Sequence, residues 1–277
     1  MLVPLRASII VSTYNNPQAL SLVLAGFARQ SMHDFEMVVA DDGSKFDTAD
    51  LVRDFAASAP FAVRHVWHED NGFRKCAILN RAVLESTGDY LIFYDGDCIP
   101  SPGSVAVHVN AARKGTTLGV GKIDLEQSYA KTLTSATIAA GVLDGLPRGW
   151  WRSRRGRRLL LTRVPGLGRL IDHLTVRHHY WPGENASIFS EDLHRLRGFD
   201  ERYTYGYEDW DFGYRLQAAG IRTRSVKCAA PLFHLPHARP YRNAEEIERN
   251  RQLFLSVLAS GEIETPAGLP KSAISCK

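Results

Sequence analysis

Three short runs, A-S-I-I-V at Ala7–Val11, F-E-M-V-V-A at Phe35–Ala40 and Y-L-I-F-Y at Tyr90–Tyr94, each break off at a polar turn. An uncharged run as short as Tyr90–Tyr94 reads as a strand buried on both faces, as in a parallel sheet. Helical patterns stand between the runs. After S-T-Y-N-N-P, Asn16 can cap a helix and Pro17 suits its first turn, which predicts a helix to about Gln30. Another helix is predicted around Asp50–Ser58, then a strand at Phe61–Trp67 and a turn at Asn71–Arg74. Lys75–Glu85 carries Ala77, Ile78, Ala82 and Leu84 at helical spacing, with Gly88 as its stop. Strand–helix alternation with short links predicts an α/β chain with a doubly wound, mostly parallel central sheet. Ligands bind at the carboxyl ends of such strands. The turns after the three runs are therefore expected to converge on one rim.

The third run ends in Asp95-Gly96-Asp97. Two carboxylates this close repel each other unless a cation sits near them. Mg²⁺ and Mn²⁺ favour oxygen ligands and commonly keep phosphates as co-ligands. The alternative is a polar turn closed by Pro100 and Pro102. Neither G-x-G-x-x-G nor G-x-x-x-x-G-K-[ST] follows the first strand, so dehydrogenase and P-loop readings are excluded. Without a glycine cradle, diphosphate charge must be met by a metal, and Asp97 can supply a ligand.

Beyond Pro102 the pattern predicts a helix to about Lys114, a strand at Leu118–Ile123 and a helical segment at Tyr129–Val142. Between Gly145 and Ile171 there is no acid, and the arginines are Arg148, Arg152, Arg154, Arg155, Arg157, Arg158, Arg163 and Arg169, with Trp150 and Trp151 at the start. The chain's net charge is only +4, so this excess is local. Basic, aromatic and apolar residues together suit an anionic membrane surface; a solvated loop is the other reading. A turn with Trp181, Gly183 and Asn185 precedes a short strand to Phe189, and Glu191-Asp192 start a small helix ending at Gly198. In G-Y-E-D-W-D-F-G-Y-R-L, from Gly206, acids crowd a helix start, where the dipole favours them. Thr223–Val226 and the stretch around His234 read as strands. The helix Asn243–Leu258 carries no obvious chemistry, and the tail from Gly261 reads as poorly ordered.

Four scattered cysteines without a C-x-x-C pair suit a reducing compartment. Met1–Ile10 does not read as a signal peptide. No run approaches the ~20 apolar residues of a spanning helix. The expected location is cytoplasmic, peripheral at the inner face of the membrane.

Taken in order, S-T-Y-N-N, A-D-D-G-S, N-G-F-R-K-C-A-I-L-N-R-A, D-G-D, and G-E-N-A-S-I-F through G-Y-E-D-W-D to F-H-L-P-H resemble inverting glycosyltransferases of family 2 with the A-type nucleotide-sugar transferase fold. The last part resembles a segment shared by β-galactosyltransferases and chondroitin-type polymerases. The resemblance implies that Thr13 and Tyr14 flank the base and Asp42 hydrogen-bonds the uracil. Gly72, Arg74 and Lys75 would lie near the nucleotide-sugar, and Asp95 would face the ribose or donor sugar. Asp97 and His234 would hold the metal, with His237 the runner-up. Trp181, Gly183, Glu184 and Asn185 would shape the sugar pocket. Asp209 would be the base, with Asp211 and then Glu184 next in line, and Glu208 would hold a sugar hydroxyl. The usual glycine-rich run before E-D is here Tyr205-Gly206-Tyr207.

The implied organisation is one glycosyltransferase domain over 1–241, followed by a helix and tail over 242–277. Within the domain lie a nucleotide-binding half (1–125), a basic insert (145–175) and an acceptor half (176–241). The implied reaction moves a sugar from a nucleotide-sugar to a glycan or lipid-linked acceptor, with Mn²⁺ or Mg²⁺ as cofactor and no nucleic-acid partner. Two other readings stay open: a polyanion- or membrane-binding module built on Arg148–Arg169, and a metal-dependent nucleotidyltransferase. The membrane expectation has its own test. Sedimentation with anionic vesicles should fall with salt, and changing Arg154, Arg155, Arg157 and Arg158 to Ser should abolish it. Unchanged sedimentation of that variant rejects the membrane reading.

Overall fold

The computed structural model describes residues 5–144, 170, 181–226, 228–238 and 241–271. The basic insert therefore lies outside the described residues, apart from Leu170. Strands β1 (Ala7–Thr13), β2 (Phe35–Asp41), β3 (Ala62–Trp67) and β4 (Tyr90–Asp95) lie parallel. With β6 (Thr116–Gly119), β8 (Asn185–Phe189) and β9 (Arg222–Ser225) they form a seven-stranded sheet of order β3-β2-β1-β4-β8-β6-β9. β8 runs antiparallel to both neighbours, and the other pairs are parallel. The sheet is mostly parallel, as the alternation predicts.

Register brings the turns together. Thr13 pairs with Asp41 and Ser12 with Asp95, so β1, β2 and β4 end at one level. Tyr94 pairs with Asn185 across the antiparallel step, which delivers the residues just before β8 to the same rim. Successive side chains of β4 enter opposite faces. Tyr90, Ile92 and Tyr94 pack with α1 (Pro17–Ala28), while Leu91 and Phe93 pack with α3 (Lys75–Glu85) and α8 (Glu208–Ala218).

A smaller sheet joins β5 (Cys98–Pro100), β10 (Leu232–His234) and β7 (Lys122–Asp124). The single strand predicted at Leu118–Ile123 is thus two, β6 and β7, and the chain crosses between sheets at Val120-Gly121. Pro100 does not close a loop: it lies in edge strand β5, where a missing N–H is tolerated.

The helices follow the sequence with local exceptions. Asn16 Oδ1 accepts from the Ala19 N–H at 3.2 Å, capping α1 as expected. α2 (Phe46–Ala56) starts earlier than its pattern. α4 (Ser104–Ala111) ends before Lys114. The predicted Tyr129–Val142 helix is two short ones, α5 (Gln127–Ala130) and α6 (Ser135–Ala139), because Thr134 and Thr137 form a capping box that starts a new helix. α7 (Ser190–Arg195) follows β8 directly. Gly88 does not stop α3, which ends at Glu85. A Cβ there would lie 2.5 Å from Ser8 Oγ, so Gly88 serves close approach to β1.

Two other expectations are corrected. The tail is packed as far as it is described: the Leu269 N–H donates to the Arg197 carbonyl at 2.8 Å, and Leu269 is buried against Gly198. The last helix, α9 (Ala244–Ser260), does have a task. Its fully buried Asn250 donates to the carbonyls of Gly206 (2.9 Å) and Tyr205 (3.2 Å) and to Thr204 Oγ1 (3.2 Å). One amide thereby clamps the loop that leads into α8. Asn250→Ala removes all three bonds to this partly buried loop and is expected to lower unfolding free energy by about 1–3 kcal/mol. Urea denaturation checks this, and an unchanged midpoint with unchanged slope would deny the clamp.

Candidate active site

A cleft of about 570 Å³ opens over the carboxyl ends of β1, β2 and β4. Thr13, Tyr14, Asp42 and Gly72 line it. Asp42 is buried; its Oδ1 meets His68 Nε2 at 2.6 Å and its Oδ2 accepts the Arg74 N–H at 2.9 Å. Burial raises the Asp42 carboxyl above its ordinary value, and the bonds from His68 and Arg74 partly offset this. Arg74 is exposed and does not line the cleft; it acts here through its backbone. The Tyr14 hydroxyl donates to Asp70 at 2.9 Å, and the same carboxylate accepts the Gly72 N–H at 3.1 Å, so Asp70 ties the two turns together.

In the middle, Lys75 from the first turn of α3 reaches Asp95 Oδ1 at 2.5 Å, and Ser12 Oγ donates to the same oxygen at 2.9 Å. Burial alone would lower the Lys75 ammonium, but Asp95, Asp209 and Glu208 reverse the sign, and the net shift is upward. Glu208 and Asp209 stand in the first turn of α8. The chain enters that helix through Gly206 (φ 100°) and Tyr207 (φ 72°), two successive left-handed residues, the second of a type that adopts this region rarely. Burial pushes the Asp209 carboxyl well above its ordinary value, and the neighbouring Glu208 pushes it further. A Cβ on Gly183 would lie 2.6 Å from Asp209 Cγ. Gly183 is therefore a glycine because the Asp209 carboxylate occupies the side-chain position.

Three expectations in this region are revised. Glu184 lines the cleft and its carbonyl accepts the Asp95 N–H at 3.1 Å, but Asn185 does not face it. Asn185 is fully buried in β8, donating to the Phe93 carbonyl at 2.8 Å and meeting His108 Nε2 at 3.0 Å. Trp181 is likewise core, edge-on to Phe93 and Phe212, and only touches a small recess behind Lys75. Asp211, the next base in line, is locked in a buried pair with Arg215 at 2.8 Å.

Along the same cleft stand Asp97, His234 and His237, whose ligand atoms lie within 4.8 Å of one another. The small sheet assembles them: His234 pairs with Cys98, next to Asp97, and with Asp124 on the other side. His234 Nδ1 meets Asp124 at 2.9 Å and His237 Nδ1 meets the Ala238 carbonyl at 2.8 Å, leaving both Nε2 atoms toward Asp97 Oδ2, at 3.8 and 3.0 Å. Oriented imidazoles with a carboxylate fit a divalent cation, with coordination positions left for a ligand. Both histidines belong to the cluster, where the sequence reading had ranked His237 second.

That reading missed Ser12, His68, Asp70, Lys122 and the rings of Phe73, Tyr205 and Tyr241. The three rings meet at centroid distances of 5.6, 5.4 and 4.9 Å on one wall of the cleft. The run of aromatics around E-D was the available signal for Tyr205; His68 carried none.

The family model described as Glycosyl transferase family 2 matches residues 8–179, and one described as the N-terminal domain of galactosyltransferase matches 167–238. Chondroitin synthase of Escherichia coli is 28% identical over 251 residues, covering 83% of this chain and 34% of that protein. Validoxylamine A glucosyltransferase of Streptomyces hygroscopicus subsp. jinggangensis (strain 5008) is 30% identical over 228 residues, covering 77% and 52%. The chain thus spans about a third to a half of these relatives. Among solved structures, a mannosyltransferase from Pyrobaculum calidifontis in complex with GDP-Man and Mn²⁺ aligns with TM-score 0.63 at 20% identity, covering 92% of this chain and 65% of that one. S. aureus TarS 1–349 in complex with UDP-GlcNAc aligns with TM-score 0.58 at 16% identity, covering 98% and 70%. These likenesses establish the A-type nucleotide-sugar transferase fold.

Gly183→Ala is expected to push the Asp209 carboxylate aside while the protein still folds. Nucleotide-sugar turnover should fall by about 10²-fold, a loss that a ~1 Å misplacement can cause. Wild-type turnover in that variant would mean that the close approach has no functional weight.

Proposed function

The chain belongs to glycosyl transferase family 2, and we propose that it is a metal-dependent, inverting hexosyltransferase. In this reading it moves a sugar from a UDP-sugar to a hydroxyl of a glycan or glycolipid in cell-surface polysaccharide synthesis. The observation that carries the proposal is the placement of Asp209, a half-buried carboxylate held against Gly183, in the same cleft as Asp42 and the Asp97–His234–His237 cluster. TarS was solved with UDP-GlcNAc, and the names of the curated relatives include sugar transferases and a polysaccharide synthase, which supports the choice of donor and product class.

An acceptor hydroxyl is a poor nucleophile at neutral pH. Asp209 removes its proton as the oxygen attacks the anomeric carbon. Burial and the neighbouring Glu208 raise the Asp209 carboxyl, which makes it a stronger base. Thr13, Tyr14 and Asp42 hold the base of the nucleotide, Gly72 and Lys75 border the donor, and Arg74 steadies Asp42 through its backbone N–H. Asp95, fixed by Ser12 and Lys75, faces the ribose or sugar. Glu208 holds a sugar hydroxyl. Asp97, His234 and His237 would hold Mn²⁺ or Mg²⁺, which when bound neutralises charge on the leaving diphosphate. One base and a single displacement invert the anomeric centre. The basic insert, outside the described residues, remains the proposed contact to an anionic membrane.

UDP release from UDP-hexoses with Mn²⁺ tests the reading. Asp209→Asn should retain UDP binding and lose about 10²–10⁴-fold in turnover. The base works only when ionised, so turnover falls as pH drops through its pKa. Because that pKa is raised, the acidic limb should lie above the ~4 of an ordinary aspartate, and Asp209→Asn should abolish the limb. Full turnover of Asp209→Asn removes it as the base, and full turnover in excess chelator removes the metal.

A further inference from the structure

Beside the cleft, on the far side of Tyr205, lies a second hollow of about 270 Å³. Tyr205, Tyr207, Trp210, Ile247 and Arg242 line it, and Arg242 is its one charged side chain among the described residues. Trp210 packs near Tyr207 and Phe254 at 6.1 and 6.4 Å, yet it remains 64% exposed. Trp210 thus joins Tyr205 and Tyr207 in lining one hollow with aromatic rings beside a cationic side chain. Its place in sequence is informative. Trp210 directly follows Asp209 in the first turn of α8, and adjacent helical residues point about 100° apart. Asp209 therefore faces the cleft and Trp210 the hollow. Tyr205 lines both, and Asn250 clamps its backbone, so the boundary between them is rigid.

We infer that this hollow is a distal acceptor subsite for an extended anionic glycan, with one ring at Asp209 and the next against Trp210 and Tyr207. The inference rests on the transferase reading above and deepens it by naming the acceptor class. The apolar face of a sugar ring packs on an aromatic side chain while its hydroxyls stay in water, which suits half-exposed rings. Arg242 selects a carboxylate or phosphate on that ring, because its planar fork matches either group bidentately. A neutral monosaccharide would leave the hollow and Arg242 unused.

Calorimetry in the presence of UDP and Mn²⁺ tests this with four probes. A tetrasaccharide of alternating glucuronate and N-acetylglucosamine is compared with its carboxyl-reduced form, and 6-phosphorylated maltotetraose with maltotetraose. At least one anionic probe should bind about tenfold more tightly than its neutral counterpart. Trp210→Ala and Arg242→Gln should each weaken that probe by about tenfold, leaving UDP affinity unchanged, with Arg242→Lys intermediate. Both side chains are exposed, so the variants should fold. The subsite is overturned if neither anionic probe exceeds its neutral form, or if both variants bind as wild type does. Failure of the wild-type protein to bind UDP refutes the donor reading separately, whatever the glycans do. The carboxylate and phosphate arms identify which anion Arg242 reads.

Discussion

A single ammonium allows the carboxylates at the centre of this cleft to share it. Asp95, Glu208 and Asp209 all act on Lys75, and Glu184 adds its charge to the field at Asp209. These acids come from three distant parts of the chain, and like charges in a sheltered site repel strongly. Among the described residues, Lys75 is ion-paired with Asp95, at 2.5 Å. Its charge offsets part of what burial does to Glu208 and Asp209. Asp209 still stays raised, so the balance leaves a basic carboxylate rather than a quenched one. Removing Lys75 would leave Asp95 and the neighbouring acids without this counter-charge in a partly sheltered site. Position 75 therefore links folding stability to the chemistry.

The second organising device is the small sheet. Asp97 and His234 lie far apart in sequence, and nothing local to either brings them together. Pairing of β10 with β5 and β7 does so, and adds Asp124 behind His234. The division of the predicted Leu118–Ile123 strand follows from this arrangement: its first half belongs to the large sheet and its second half must leave to meet β10.

Much of this was legible in the sequence, where the signal is local. Apolar runs marked the strands, helical spacing marked α3 from Lys75 to Glu85, and paired acids marked both ends of the cleft. What escaped notice depends on long-range pairing. His68 is ordinary until β3 sets it beside Asp42, and Asn250 is an unremarkable helix residue until its amide meets three acceptors of another loop. Asn185 and Trp181 belong to a family pattern, but strand pairing turns one into the sheet and core packing claims the other. Gly183 was singled out for a sugar pocket, whereas the space it leaves for Asp209 needed coordinates.

The packed tail bears on how the chain is made. Asn80, on α3, bonds both backbone groups of Phe199, at 2.8 and 2.9 Å, and Leu269 closes over Gly198 beside it. Chains leave the ribosome amino end first, at about 5–20 residues per second. The helix that carries Lys75 is therefore synthesised long before the segments that cover its outer face. Until residues 198–269 have emerged, α3 lacks the partners that Asn80 and the apolar cluster around it meet in the finished fold, and the apolar surface left uncovered is the kind that molecular chaperones recognise.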